Sequence, residues 1–327
     1  MKIREFEIQN IKFIEVTNEI NFKVELTDLG AAIYGIYLNE VPMTLTTVNV
    51  EDFIRNDYYH GKTIGRVSGR LKDGKYTVNG VTYQTEINEG KNALHGGVNG
   101  LSSKYFNYDI KEVKDGIEVK FTYLSKAGES GYNSNMNLTI TYLIPKYENV
   151  LELTLEANVD EDSVCMLTNH AYFSLGDYDN STLELAINAD KYIHVDENDL
   201  IPLYEKEVEK ATDFRQPKLI VKDINASVLK DSKMHGYDME YLFNDININR
   251  SNVVLQNDKY ILEIYTDYEG SIIYSDNFEN TAKFLTNDID LVRRGIAIEP
   301  SDHHLKNHLL QKGELYKRKI IYNFLYK

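Results

Sequence analysis

The chain has 327 residues, of which 42% are hydrophobic and 27% are charged, a balance typical of a globular protein with a large core. Its formal net charge of −15, without any run of basic residues, argues against nucleic acid and anionic membranes as partners. The N-terminal residues contain no apolar signal segment, no stretch approaches a membrane span, and Cys165 is the single cysteine. We therefore expect a cytoplasmic protein without disulfides.

Alternation of apolar and polar residues with a period of two, typical of β-strands, recurs along the chain. Residues 75–85 place Asn79-Gly80 between two β-rich runs and predict a hairpin. Further strands are predicted at residues 116–124, 137–144, 150–159, 183–195, 252–256, 260–267, 270–276, 295–300 and 318–326. Helical periodicity is limited to a turn or two within residues 36–56 and a short helix within 214–231.

Strands at short intervals, separated by turn residues, favour a β-sandwich or barrel over βαβ repeats. The sequence contains no proline-rich linker, low-complexity segment or internal repeat that would divide it. We therefore predict a single all-β domain that spans residues 1–327.

The stretch MLTNHAYFSLG, residues 166–176, places an ionisable ring inside what otherwise predicts a buried strand. If this stretch is extended, Met166, Thr168, His170 and Tyr172 share one face. His170 would then lie beside a hydroxyl and an aromatic ring, as in the lining of a polar cleft. A core histidine with satisfied hydrogen bonds is the commoner alternative for such a stretch.

A carboxylate candidate lies near the C-terminus, in the predicted strand 295–300. Alternation places Ile296 and Ile298 on one face and Glu299 on the other, beside small residues that leave room for a ligand. The alternative is a solvated glutamate on an exposed strand face.

Three further stretches carry polar groups. Extended backbone would aim Arg66, Ser68 and Arg70 in one direction, which suits sugar oxygens or carboxylates but is also common on exposed strands. His95 precedes two glycines, which fits either a histidine turned into a cleft or an ordinary turn. Asp238 precedes an aromatic run and is uninformative by itself.

Metal, nucleotide and serine-hydrolase sites lack a signature in this sequence. His304 and His308 could hold a metal ion on a helix, but no third ligand has a recognisable spacing, so a surface cluster is favoured. No phosphate-binding loop precedes a helix, and no Gly-x-Ser-x-Gly motif is present.

The five stretches that contain His170, Glu299, Arg70, His95 and Asp238 together resemble the aldose 1-epimerase (galactose mutarotase) family. The resemblance extends from about residue 58 to the end. The segment TIGRVSGRLKDGKYTVNGVTYQTEINEGKNALHGGVNG, residues 63–100, is similar to the N-terminal signature of the family. LTNHAYFSLG is similar to its histidine motif, and YTDYEGSIIYSDN and GIAIEP resemble the strands that bring in its glutamate.

The resemblance implies a large antiparallel β-sandwich, the galactose mutarotase-like supersandwich, with a sugar cleft on one concave sheet. It implies an isomerase that interconverts the anomers of a free aldose such as galactose or glucose, as a monomer or homodimer and without cofactor or metal. The general acid of the family corresponds to His170 and the general base to Glu299. The residues that would contact and position the sugar correspond to Arg70, His95, Asp238 and Phe278.

Some positions depart from the usual pattern of the family. Ser68-Gly69 stands where the family usually has Ala-Asn, Ser174 where it has Asn, and Ser301 where Gln commonly follows Glu-Pro. The Trp usual after the His-Gly-Gly loop is also absent. Because the acid, base and positioning residues are all present, these departures bear on sugar preference.

Interconversion of anomers requires a proton for the ring oxygen, removal of the C1 hydroxyl proton, and rotation about C1–C2. We expect a histidine with a pKa near ~6.5, raised by an adjacent carboxylate, to donate, and a glutamate with a pKa near ~4.3 to accept. Two alternatives remain open: a non-catalytic sugar-binding protein on the same fold, and a hexose-6-phosphate 1-epimerase, which four arginines keep possible. These are Arg66, Arg70, Arg293 and Arg294.

Overall fold

The computed structural model describes residues 1–55, 58–176, 180–285 and 292–327, in which antiparallel strands predominate. The helices in these ranges are short: α1 (Val50–Arg55), α2 (Ser227–Lys230), and 3-10 turns at Lys72–Gly74, Leu101–Ser103, Glu129–Gly131, Asn180–Thr182 and Ile220–Asp223. None of them has the length and apolar character needed to cross a lipid bilayer. The all-β fold predicted from alternation is therefore confirmed.

The strands of the first third are β1 (Lys2–Ile8), β2 (Ile11–Thr17), β3 (Phe22–Thr27), β4 (Ala32–Leu38), β5 (Val41–Pro42), β6 (Thr63–Ile64), β7 (Arg70–Leu71), β8 (Lys75–Val78), β9 (Val81–Gln84) and β10 (Ala93–Leu94). The middle third contributes β11 (Asn107–Val113), β12 (Gly116–Ser125), β13 (Met136–Pro145), β14 (Val150–Val159), β15 (Ser163–Val164), β16 (Thr168–Asn169), β17 (Tyr172–Phe173), β18 (Glu184–Ile187), β19 (Lys191–Val195) and β20 (Pro202–Glu207). The last third contributes β21 (Lys218–Leu219), β22 (Asp238–Leu242), β23 (Val253–Gln256), β24 (Tyr260–Thr266), β25 (Gly270–Tyr274), β26 (Ile296–Ser301), β27 (Leu309–Leu310) and β28 (Tyr316–Tyr326).

Three sheets build the sandwich. The largest has nine strands in the order β11-β12-β13-β14-β28-β24-β23-β18-β21, and a six-stranded sheet has the order β17-β26-β25-β22-β19-β20. The N-terminal strands form a five-stranded sheet in chain order, β1 to β5. One apolar cluster joins them, with Val24, Ile140, Leu153, Ile298 and Phe324 among its buried members. Each such side chain contributes about 1.5–3 kcal/mol to folding by leaving water.

The predicted strands are present, and most of their ends differ from the predicted ones by one or two residues. Asn79 and Gly80 form the turn between β8 and β9 with φ values of 50° and 80°. The stretch 183–195 is an exception, because it forms two strands in different sheets, β18 and β19. The five-stranded N-terminal sheet was not predicted at all. Both helical stretches contain the helices expected, although residue 56 lies outside the described ranges.

The strand register of the six-stranded sheet places polar residues in rows on its outer face. Glu299 of β26 lies opposite Ile272 of β25, which in turn lies opposite Glu240 of β22. In the next row on the same face, Tyr274 lies opposite Asp238. The alternate residues of these strands face the apolar cluster instead. The sheet therefore has one apolar face and one face on which β22 and β26 carry Asp238, Glu240 and Glu299.

Candidate active site

A cleft lies over the outer face of the six-stranded sheet. Strands β17, β22, β25 and β26 form its floor, and loops from the first hundred residues form one wall. The cleft is lined by Tyr58, Tyr59, Gly69, Arg70, Glu89, Leu94, His95, His170, Tyr172, Met234, Asp238, Ile272, Tyr274, Phe278 and Glu299. All six site residues selected from the sequence lie in this cleft: Arg70, His95, His170, Asp238, Phe278 and Glu299.

His170 and Glu299 meet at the base of the cleft. His170 lies between the two-residue strands β16 and β17 rather than within one continuous strand, and its Nε2 lies 3.2 Å from Glu299 Oε1. Their side chains are only 6% and 2% exposed. Among the described residues, neither His170 Nδ1 nor Glu299 Oε2 has a hydrogen-bond partner. The pair is therefore neither a satisfied core histidine nor a solvated glutamate.

The sequence-based expectation for the proton affinities of this pair is wrong. Burial lowers the pKa of His170 to about 3. Burial, together with the neighbouring Asp238 carboxylate, raises the pKa of Glu299 well above its usual range, although Arg70 opposes this. Removal from water disfavours the charged form of each group, and it is the largest cause of both shifts. Both shifts favour the uncharged forms, a neutral imidazole for His170 and a protonated carboxyl group for Glu299.

His95 reaches the cleft through an unusual backbone conformation, with a φ of 53°. The backbone N–H of Gly69 donates to His95 Nδ1 at 3.2 Å, and the N–H of His95 donates to the Gly69 carbonyl at 2.9 Å. Because Nδ1 accepts a hydrogen bond, the neutral ring carries its proton on Nε2. Burial and the nearby His170 and Arg70 lower the pKa of His95. The ring therefore has one donor, Nε2–H, available for a bound molecule.

One set of side chains in the described ranges could hold a metal ion. His95, His170 and Glu299 offer ligand atoms that lie within 4.8 Å of one another. A metal requires an unprotonated ring nitrogen. His95 Nδ1 is occupied by the N–H of Gly69, and this hydrogen bond keeps the proton on Nε2. The three groups are thus better arranged for proton handling than for metal coordination.

Arg70 is held between two carboxylates. Its Nε and Nη2 atoms donate to Glu89 at 2.6 and 2.8 Å, and Nη1 lies 3.7 Å from Asp238 Oδ2. Burial would lower the pKa of Arg70, but Asp238 and Glu89 raise it. Sequence reasoning missed Glu89, because nothing in its loop signals a partner 19 residues earlier. The bidentate contact fixes the guanidinium plane and leaves Nη1 directed toward Asp238.

Arg66 and Ser68 do not join Arg70 in the cleft, contrary to the sequence-based expectation. The guanidinium of Arg66 is buried elsewhere and donates to Ser125 Oγ at 2.8 and 3.1 Å. The expected alternation fails because Gly69 has a φ of 71°, in the left-handed region, and turns the chain before β7 begins.

Aromatic rings surround the polar groups of the cleft. Tyr59 packs against His95 and His170 with ring centroids 4.8 and 5.9 Å apart, and Tyr172 stacks on His170 at 5.1 Å. Phe278 is 37% exposed and lines the same cleft. Flat apolar rings beside hydrogen-bonding groups suit the two kinds of surface that a pyranose offers. Tyr59 was not selected from the sequence.

The histidines that follow β26 are not a surface cluster, which corrects the sequence-based interpretation. His304 Nδ1 lies 2.8 Å from Glu240 Oε2, and both side chains are buried. His303 pairs with the more exposed Glu205 at 3.1 Å. The segment is irregular rather than helical, so His304 and His308 do not share a helix face.

Comparisons with known proteins identify the family of this chain. Residues 12–323 match the sequence profile described as aldose 1-epimerase. An aldose 1-epimerase of Streptococcus thermophilus is 30% identical over 272 residues, which cover 80% of this chain and 76% of the relative. A galactose mutarotase of Sus scrofa is 28% identical over 289 residues, which cover 84% of this chain and 81% of that protein.

The fold has a match among solved structures. A crystal structure of galactose 1-epimerase from Lactobacillus acidophilus superposes with a TM-score of 0.87 at 26% identity, and the match covers 99% of this chain and 98% of the other. The profile match over residues 12–323, together with these relatives, establishes that this chain belongs to the aldose 1-epimerase family.

Proposed function

We propose that the protein is an aldose 1-epimerase that interconverts the α and β anomers of a free aldose, such as galactose or glucose. The observation that carries this proposal is the buried contact of 3.2 Å between His170 Nε2 and Glu299 Oε1. These groups can exchange one proton with each other and with a sugar that lies against both of them. The names of the relatives, aldose 1-epimerase and galactose mutarotase, support the same activity.

Ring opening begins with His170 protonated and Glu299 ionised. Glu299 accepts the proton of the C1 hydroxyl while His170 Nε2–H donates a proton to the ring oxygen, the C1–O5 bond breaks, and a C1 aldehyde forms. His170 is now neutral and Glu299 is protonated. After rotation about C1–C2, the reverse transfers close the ring on the opposite face of the carbonyl.

The directions of the two pKa shifts favour this intermediate. Burial favours a neutral His170 and a protonated Glu299, which is the state of the pair when the sugar is open. The site is therefore arranged for the open-chain aldehyde, whereas the hydroxyl groups of a bound pyranose help to stabilise the charged pair that starts the reaction. Because the two atoms are 3.2 Å apart, the proton can move between them without exchange with solvent.

Arg70, Asp238 and His95 would hold the sugar while C1 rotates. Arg70 Nη1 and the Asp238 carboxylate offer a donor and an acceptor at one side of the cleft, and His95 offers Nε2–H. Hydrogen bonds to hydroxyls remote from C1 keep the open chain in place between opening and closure. The rings of Phe278 and Tyr172 would cover apolar C–H faces of the sugar.

The structure offers little support for the alternative of a phosphorylated sugar. Of the four arginines that kept this alternative open, only Arg70 lines the cleft, and Glu89 and Asp238 accompany it there. Arg66 binds Ser125, as described above, and Arg294 donates to backbone carbonyls. A dianionic phosphate would meet more carboxyl groups than cations, so the cleft suits an uncharged aldose.

Polarimetry tests the proposal. Wild-type protein should accelerate the change in optical rotation of freshly dissolved α-galactose or α-glucose, with little effect on a hexose 6-phosphate. Acceleration of the phosphorylated sugar alone would favour the alternative activity. Sugar binding by calorimetry without any acceleration would show a non-catalytic binding protein.

We further propose that residues 1–327 form one domain that acts in the cytoplasm as a monomer or homodimer. In support, the apolar cluster contains residues from Ile14 to Phe324, and Cys165 is buried and unpaired. A single cooperative unfolding transition, together with a size-exclusion mass of one or two chains, would fit this proposal. Two separate transitions would contradict the single domain.

A further inference from the structure

A second buried histidine–carboxylate pair lies beside the cleft. His304 Nδ1 lies 2.8 Å from Glu240 Oε2, and the two side chains are 6% and 5% exposed. The backbone N–H of His304 and the hydroxyl of Ser301 both donate to Glu240 Oε1 at 3.3 Å. His304 lines a small pocket next to the cleft, and it is not among the residues that line the cleft itself. The pair fixes the orientation of the His304 ring.

The far edge of this ring packs against Gly69. A Cβ atom added to Gly69 would lie 2.4 Å from His304 Nε2 and 2.7 Å from Cδ2, closer than van der Waals contact allows. Gly69 also has a φ of 71°, which residues with a side chain rarely adopt. The imidazole therefore occupies the space that a side chain at position 69 would need.

Gly69 in turn determines the state of a cleft residue. Its N–H donates to His95 Nδ1 and its carbonyl accepts the N–H of His95. A shift of this peptide would release Nδ1 and leave the His95 ring free to turn or to change tautomer. Arg70 follows directly in the chain, so the same peptide also sets where its side chain begins.

We propose that His304, held by Glu240, is a positioning residue that supports the Gly69 peptide and thereby fixes His95 and Arg70 in the cleft. This inference rests on the proposed aldose 1-epimerase function. His304 acts through Gly69 and makes no contact with the sugar.

The charge of His304 supports the same role. Burial alone would lower the pKa of His304, but the Glu240 carboxylate raises it above the usual value. A protonated His304 contributes to the low pKa of His95, after burial and the nearer His170 and Arg70. The charge thus helps to keep His95 neutral, as the Nε2–H donor requires.

The variant His304→Asn tests this proposal. The asparagine amide can replace Nδ1 as the donor to Glu240, but it lacks the ring edge that contacts Gly69. We expect kcat/KM for α-galactose to fall about tenfold, since small displacements of positioning groups are costly. In ¹⁵N NMR spectra of histidine-labelled protein, the His95 signals should lose the pattern of a single Nε2–H tautomer. His303→Asn, which changes the neighbouring pair with Glu205, should leave both measurements as in wild type.

A double-variant cycle tests the steric contact directly. Gly69→Asn introduces the type of residue best tolerated at a positive φ, so its effect should come mainly from the clash with His304. Alone it should reduce kcat/KM by about a hundredfold or reduce the folded yield. The double variant Gly69→Asn/His304→Asn should have a kcat/KM or a folded yield about tenfold higher than that of Gly69→Asn alone, because the space next to position 69 is then free.

Two results would overturn the inference: wild-type kcat/KM and an unchanged His95 tautomer in His304→Asn, or a double variant no better than Gly69→Asn alone. Failure of the proposed function is a different outcome. In that case the wild type itself would not accelerate the mutarotation of α-galactose, while the NMR comparison would still report on the contact with His95.

Discussion

Two buried histidine–glutamate pairs lie on one face of the six-stranded sheet, and the pKa values of their histidines shift in opposite directions. In the cleft, the pKa of His170 falls to about 3, whereas beside the cleft Glu240 raises the pKa of His304. The two pairs are similarly buried, and their N–O distances are 3.2 and 2.8 Å. The extent of burial alone therefore does not explain why the pKa values of His170 and His304 shift in opposite directions.

The hydrogen bonds of the two carboxyl groups do explain it. Glu240 accepts from the ring and the backbone N–H of His304 and from Ser301. Glu299 Oε2 lacks a partner among the described residues, and the nearby Asp238 carboxylate disfavours a second negative charge. A carboxylate with several donors favours a protonated histidine beside it, whereas one without them retains the proton itself. The same two residue types thus form a structural ion pair in one place and, under the proposed function, a proton-transfer pair in the other.

The largest difference between the pairs should appear in catalysis. Glu299→Gln removes the proton acceptor with little change in shape, so kcat should fall by about 10²–10⁴-fold. Optical rotation of fresh α-galactose measures this loss, and circular dichroism should show an unchanged fold. Undiminished activity would contradict the assignment of Glu299 as the base.

The two pairs should also contribute differently to the free energy of unfolding of the protein. Glu240→Gln leaves His304 without its carboxylate and should lower the free energy of unfolding by on the order of 3 kcal/mol. Glu205→Gln is the matched control; it changes a more exposed pair and should cost less than about 1 kcal/mol. Glu299→Gln should instead stabilise the protein at neutral pH. Urea denaturation measures all three, and destabilisation by Glu299→Gln would contradict the comparison.

The dependence on pH should separate the pairs further. His170 has a lowered pKa in the folded protein, so as the pH falls below 6.5 only the unfolded chain takes up this proton and wild type loses stability. His170→Gln should remove this loss, and its advantage should grow toward pH 4. His304 has a raised pKa, so its contribution is complete below 6.5 and disappears as the pH rises through the folded value. The cost of Glu240→Gln should therefore be larger at pH 5.5 than at pH 9, and parallel profiles for the two variants would refute this.

The smallest effect is expected for Glu89, which belongs to neither pair and orients Arg70. Glu89→Gln keeps the shape but loses the bidentate ionic contact with Arg70. We expect KM for galactose to rise by on the order of tenfold with little change in kcat, because the lost contact affects sugar binding more than proton transfer. Steady-state polarimetry separates these constants, and a fall in kcat alone would show that Glu89 contributes to the chemical step.

Much of the fold could be predicted from the sequence because half-buried strands alternate. The strand 150–159 alternates without a break and has the same bounds in the structure. The N-terminal β1 has almost no buried residue and offered no such signal. The stretch 183–195 could not be divided, since both of its strands alternate and only the sheet order shows that they separate.

Only part of the candidate site could be predicted from the sequence. His170 and Glu299 could be selected from their motifs, but the direction of their pKa shifts depends on burial, which neither motif reveals. Arg66 was misplaced because one residue with a positive φ breaks alternation. Glu89 and His304 were missed because their partners, Arg70 and Glu240, are distant in sequence.

Ile272 lies between the two glutamates in their row across the sheet. Neighbouring strands are about 5 Å apart, so the Cα atoms of the two glutamates are separated by about 10 Å, with an aliphatic residue between them. Its side chain can neither donate nor accept a hydrogen ion, so no proton can pass along this row from one pair to the other. Under the proposed function, the pair of His170 and Glu299 would change its protonation with every turnover without passing a proton to the pair of His304 and Glu240.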